Sequence, residues 1–214
     1  MVIKKIALAL YLVMLASVLS VGQDMRDIFD SKSTITWLGL DFTGAKFIGD
    51  REKFGSESDT RTLLEAWNKL MIAEAEKYDV AAAINKVKVE KGIQVTIDNN
   101  AQLDLSQIFS EDSKDHIRLK GEHIAEIISS YDYQGKTGIG LMFNVETFNK
   151  TNVEGVVWIT FINLDSKEIF FTERLTAPPG GFGVRNYWAG CIKSILEKMK
   201  KKEFEMWRKK YYRP

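Results

Sequence analysis

Residues 139–175, IGLMFNVETFNKTNVEGVVWITFINLDSKEIFFTERL, decide the fold. Ile139, Leu141, Phe143 and Val145 recur at every second position, the period at which the side chains of an extended strand return to one face. Val156 to Leu164 forms a second extended run, and Ile169 to Leu175 a third. Between the runs lie Asn149-Lys150-Thr151-Asn152 and Asp165-Ser166-Lys167, rich in residues whose short polar side chains bond to nearby backbone and favour turns. Runs joined this closely pair with their sequence neighbours, which predicts a three-stranded antiparallel meander. VVWITF (156–161) is apolar on both sides except at Thr160 and so reads as the central strand, covered on both faces.

Downstream, Pro178-Pro179-Gly180-Gly181 stops the third strand. Trp188, Cys191, Ile192, Ile195, Leu196 and Met199 then keep the helical period, predicting a basic, aromatic C-terminal helix over 187–212 that packs back on the meander. Upstream, Ile124, Ile127 and Ile128 mark a helix from Lys120 to Tyr131. Residues 101–118 are polar, with Leu103, Leu105, Ile108, Phe109 and Ile117 as apolar anchors, and suit either a short helix or an ordered loop. From Ala82 to Ile97 the period is two, through Val87, Val89, Ile93, Val95 and Ile97, which predicts two strands turning at Lys91-Gly92. Thr62 and Glu65 have capping-box spacing ahead of a helix that runs through Trp67, Leu70 and Met71 to Tyr78. Residues 44–59 mix glycine, serine and charge and read as a loop, and Thr34 to Phe42 reads as the opening strand. The expectation is an α+β fold: one domain over 23–214, built on a mixed sheet with a C-terminal antiparallel meander flanked by helices.

The amino terminus gives an address. Lys4 and Lys5 precede an apolar run from Ile6 to Leu19, followed by Ser20-Val21-Gly22, the pattern of a secretory signal peptide cleaved near Gly22. The run is shorter than the ~20 residues a spanning helix needs, and it contains no Cys for lipid attachment. The expected location is therefore periplasmic or secreted. With Lys4 and Lys5 set aside, the 30 basic residues become 28 against 29 acidic ones, a balance that gives no reason to expect nucleic acid as a partner. A single cysteine, Cys191, excludes an intramolecular disulfide and a thiolate metal cluster.

Few residues carry recognisable chemistry. The loop PPGGFGV (178–184) leads into a helix with Arg185 and Asn186 at its start. Gly180, Gly181 and Gly183 would let backbone amides approach an anion that Arg185 clamps, although the loop lacks the Lys-Ser/Thr pair of a P-loop and is equally suited to a tight strand-to-helix connection. Asp41, at the end of the first strand, is either a site carboxylate or the cap of the turn after it. His116 and His123 lack the further ligands a zinc site needs. Cys191 lies on the apolar stripe of its helix, as a core thiol does. In the tail, Lys200, Lys201, Lys202, Trp207 and Arg208 suit an anionic lipid surface or an acidic partner, or else simply a helix end with cations at its negative pole. No catalytic set, cofactor motif or metal site emerges, so the expectation is a non-enzymatic protein.

TITWLGLDFTG (34–44) and VWITFINLDSKEIFFTERLT (157–176), with the helix that follows, resemble a small α/β domain of bacterial envelope proteins. That group includes the TolB amino-terminal domain, the curli-secretion lipoprotein and the lipoprotein activators of penicillin-binding proteins. The resemblance implies a protein-binding or assembly module with envelope proteins as partners. It transfers no functional residue, because that group is united by fold. The other expectations are a small-ligand or anion binder using 178–186, or a peripheral membrane protein using the basic tail.

Overall fold

The computed structural model describes residues 24–212, so the expected signal peptide lies outside the described residues. In chain order the elements are α1 (Met25–Phe29), β1 (Ile35–Asp41), β2 (Lys46–Ile48), α2 (Glu57–Ala73), α3 (Val80–Ala83), β3 (Glu90–Lys91), α4 (Gln94–Ala101), β4 (Phe109–Ser110), α5 (Gly121–Ser130), β5 (Ile139–Asn149), β6 (Glu154–Asn163), β7 (Ile169–Ala177), α6 (Val184–Lys198) and α7 (Phe204–Tyr211), the last two joined by a π-helical turn. They build a single mixed α/β domain. All the strands join one sheet, parallel on one side of β5 and antiparallel on the other.

β1 and β2 lie end to end along one edge of β5, opposite Ile139 to Asn144 and Thr147 to Asn149 respectively. β6 covers the other edge, and β7 pairs antiparallel with β6 as the outermost strand. The central strand is therefore β5 and not β6. Every residue of β5 is buried, yet Asn144, Glu146, Thr147 and Asn149 are polar, so its position is hidden from any ranking by hydrophobicity.

One face of the sheet carries the main core. Trp37, Phe143, Val145, Ile159 and Phe161 pack beneath α2 and α6, with Phe148 stacked on Trp188 at 4.5 Å and Phe42 on Trp67 at 5.5 Å. The other face packs Leu38, Met142, Ile162 and Leu164 against Ile124 and Ile128 of α5. These two layers cover both sides of β5, which explains why a strand with so many polar residues never reaches solvent.

Further expectations need correction, among them the loop over 44–59, which holds β2 and the first turn of α2. The helix α2 begins at Glu57, capped by Ser56, whose Oγ accepts from Asp59 N at 3.1 Å while Asp59 Oδ2 accepts from Ser56 N at 2.9 Å. Thr62 lies inside that helix and donates its hydroxyl to the Ser58 carbonyl at 3.0 Å. The strand pair expected over 82–97 is absent: only Glu90 and Lys91 pair, in parallel with Thr36 and Trp37, and Val95 and Ile97 belong to the helix α4. Tertiary packing overrides the short alternation there, because a helix lets Val95 reach the second-face core while Asn100 reaches β1. The C-terminal helix opens at Val184, not at 187.

The structure also closes an exposed strand edge in an unusual way. β3 covers β1 only as far as Trp37, leaving Leu40 and Phe42 without a strand partner on that side. Two buried amides take its place. Asn68 Oδ1 accepts from Leu40 N at 2.7 Å and Asn68 Nδ2 donates to Leu40 O at 2.9 Å, while Asn100 Nδ2 donates to the same carbonyl at 2.9 Å and Asn100 Oδ1 accepts from Phe42 N at 3.0 Å. Gly39, at φ +100°, supplies both the bulge and the clearance, since a Cβ there would overlap Asn68 Oδ1.

Candidate functional site

The glycine-rich loop is a folded connection. Gly180 N donates to Tyr187 O at 2.9 Å and Tyr187 N donates to Gly183 O at 2.9 Å, so the loop is bound to the first turn of α6. Gly190 faces the Gly180 carbonyl at a distance no Cβ would tolerate, and Gly181 and Gly183 hold φ of +119° and +77°. Gly181, Gly183 and Gly190 are thus required by backbone conformation or close approach, whereas Gly180 has open space where a Cβ would stand. The Arg185 carbonyl accepts from Trp67 Nε1 at 2.8 Å, its side chain is exposed, and the Asn186 carbonyl packs on Gly181. Phe182, missed in the sequence, projects at 95% exposure, beside Lys53 and Lys150.

Asp41 does not join this loop. Its side chain lies on the second face of the sheet, fully buried, whereas α6 packs on the first. Asp41 Oδ1 accepts from Thr43 N at 3.2 Å, Thr43 Oγ1 at 2.6 Å and Tyr131 Oη at 2.7 Å, and Oδ2 accepts from Asn144 Nδ2 at 2.9 Å. Burial and the neighbouring Asp41 carboxylate hold the Tyr131 hydroxyl well above the ordinary tyrosine range, so it remains a donor. The row continues across the strands, from Thr160 Oγ1 to Asn144 Oδ1 at 2.8 Å and between Thr160 and Thr172 at 2.8 Å. Both oxygens of Asp41 are occupied, which makes it the keystone of a buried polar row.

A second buried carboxylate, Glu146, was not visible as such in the sequence. Its Oε1 accepts from Arg118 N at 2.5 Å and Leu119 N at 2.6 Å, and its Oε2 from Trp158 Nε1 at 2.8 Å, with Arg174 Nε at 3.1 Å. Arg174 also stacks over the Trp158 ring at 4.5 Å. The only signal for it was a charged residue inside an alternating apolar strand. His116 and His123 sit in different elements, the former bonded to Glu154 at 3.0 Å and the latter accepting from Lys120 N at 3.0 Å. Cys191 is fully buried and donates to the Ala177 carbonyl at 3.3 Å, and burial pushes its thiol up to about 12.

The tail divides into two. Trp207, expected at a surface, is buried at 3% exposure against Phe171 and Phe204, because the aromatics of α7 complete the main core. Lys200, Lys201 and Lys202 are exposed, and Arg208 pairs with Glu205 at 2.7 Å. With Trp207 in the core, Met206 is the large apolar residue of α7 that stays exposed beside these cations. Among the described residues no helix is long and apolar enough to cross a membrane.

An apolar surface lies at the sheet's β3 edge. A groove of about 260 Å³ has Trp37 in its lining, with Met71 and Ile72 from α2, Tyr78 and Val80 around α3, and Val87 and Val89 before β3. Val87 is 81% exposed, and Trp37 Nε1, though buried, has no acceptor among the described residues. A contiguous apolar groove beside a two-residue edge strand is the chemistry of a surface that receives an apolar side chain or a short extended segment. Val87 and Val89 had been read as strand positions only, and nothing in the sequence brings Trp37 next to them. Compared with known proteins, the chain matches no family model and no curated sequence.

Proposed function

We propose that the protein is an exported, non-enzymatic binding or assembly module that receives an apolar segment of a partner envelope protein in the groove beside β3. The observation that carries this reading is the groove itself: apolar walls from α2 and α3, a floor at Trp37, and Val87 held out at 81% exposure. Burying such a residue against a partner contributes about 25 cal/mol per Å² of apolar surface removed from water. A short edge strand adds a template for pairing. Export is supported by Lys4, Lys5 and the apolar run to Leu19, and the envelope setting by the resemblance of 34–44 and 157–176 to the TolB-like domain.

Site-specific photocrosslinking in the native host tests the proposal. A benzophenone side chain at position 87 is expected to give a discrete adduct, whereas the same probe at exposed Glu76 gives none, and Ile72→Asp in the groove abolishes the adduct from 87. Equal adducts from 87 and 76, or none from 87, would overturn it. Recovery of the chain from the envelope or medium, shortened near Gly22, tests the export half.

A further inference from the structure

A second cleft, of about 250 Å³, opens where β1 has ended and β2 has not begun. Residues 42–45 leave the edge of β5 here, opposite the irregularity between Val145 and Thr147. Buried Phe42, Leu105 and Ile108 give the cleft apolar walls. Two cations, Lys46 and Arg118, line it.

Neither cation forms an ion pair among the described residues. Lys46 Nζ donates to the Gln107 carbonyl and Arg118 Nη2 to the Gly44 carbonyl, bonds that fix position while leaving the full charge. Arg118 Nε is buried with no acceptor among the described residues. Glu146 is turned to the Arg118 backbone N–H and to Arg174. Asp104, the acidic residue of the lining, caps the turn that follows it by accepting from Ser106 N at 2.9 Å. Lys46 and Arg118 outnumber Asp104, the one carboxylate of the lining, and beside the apolar walls this excess of positive charge is complementary to an oxyanion with a compact apolar body.

We propose that this cleft binds a small organic acid, its carboxylate between Lys46 and Arg118 and its apolar body against Phe42, Leu105 and Ile108. The volume lies below the roughly 300–1,000 Å³ of sites for drug-sized ligands, which restricts the ligand to a small acid. The site shares no residue with the groove beside β3 and stands independently of it.

Benzoate is the probe, titrated into ¹⁵N-labelled protein at constant ionic strength against chloride. Saturable shifts are expected at the amides of Thr43, Gly44 and Ala45, with a Kd on the order of 1 mM for a ligand of this size. Lys46→Met and Arg118→Gln should each weaken binding by about 10-fold or more, as expected for loss of a charge-assisted bond. Lys46→Met keeps the test open if Arg118→Gln disturbs the loop through Gly44, and unchanged amide spectra away from the cleft show that each variant folds. Shifts that never saturate, or equal affinity in the folded variants, would overturn the site. Inorganic phosphate binding as tightly as benzoate would overturn the apolar part of the assignment.

Discussion

The edge of β1 offers the sharpest test of how this fold is held, and Asn68→Leu is the perturbation. Asn68 is fully buried and makes three hydrogen bonds, two with Leu40 and one to the Leu64 carbonyl at 3.2 Å. Leucine has similar volume, so the change removes the bonds with little cavity. The Leu40 N–H is then left without an acceptor in a residue of 0% exposure, at a cost of about 1–3 kcal/mol. Loss of the Nδ2 bonds adds about 1 kcal/mol, since Leu40 O retains Asn100. The expected total is about 2–4 kcal/mol in urea unfolding, or a fall in Tm of roughly 5–15 °C for a chain of this length.

Two companions make the reasoning specific. Asn100→Leu alone also leaves Leu40 O one donor, but the double variant leaves it none, so the pair should cost about 1 kcal/mol more than the sum of the singles. Asn68→Asp keeps an acceptor for Leu40 N but sets a second oxygen against Leu40 O. Burial raises the folded-state pKa of that new carboxyl, so its stability is full below the unfolded value near 4 and is lost as pH rises through the folded value. An Asn68→Leu cost under 0.5 kcal/mol, strict additivity in the double variant, or a pH-independent Asn68→Asp would each refute the account of amides standing in for a strand.

Gly190→Ala should cost about 1–3 kcal/mol by driving a methyl group into the Gly180 carbonyl, and should speed hydrogen exchange at Gly180 N; an unchanged exchange rate would mean that the loop is not packed on α6. Lys86 is 7% exposed, with Nζ donating to the carbonyls of Asp27 and Asp30 and to Ser33 Oγ, and burial lowers its pKa from 10.5 to about 8. Between those values the unfolded chain binds more protons, so stability relative to Lys86→Met should rise with pH from about 8 to 10.5, and a flat or falling difference would count against it. Cys191, with its thiol near 12, should resist an aromatic disulfide reagent at pH 8 and react in full on unfolding; fast reaction of the folded protein would show that α6 opens readily.

What could be read in advance was whatever depends on one segment's own pattern. The helix α5 ends within a residue or so of its expected bounds because Ile124, Ile127 and Ile128 lie on one stripe and nothing competes with it. The strands from Ile139 onward were legible for the same reason, although β5 and not β6 proved central. What escaped depends on partners distant in the chain. Asn100 lies in a stretch whose apolar alternation suits a strand, but its bonds to Leu40 and Phe42 across about sixty residues require a helix. Polar residues on β5 look like solvent positions until Asp41, Trp158, Thr160 and Arg174 arrive from three other segments to bond them.

The same division explains the sites. A glycine cluster draws attention as a binding loop because glycine is required wherever backbone approaches something closely, but sequence does not say whether that something is an anion or the chain itself. Here it is α6, and the Gly180 amide is already bonded. Charge in a site is legible in a different way. Lys46 and Arg118 are unremarkable in sequence, each one basic residue among neighbours of both signs. They become distinctive only because the break between β1 and β2 places both at one cleft, with carbonyl partners that leave their charge intact. An uncompensated charge is a property of the folded surroundings and not of the residue. A motif search does not find residues of this kind, because the cost of holding two like charges together arises only in the fold that brings them to one cleft.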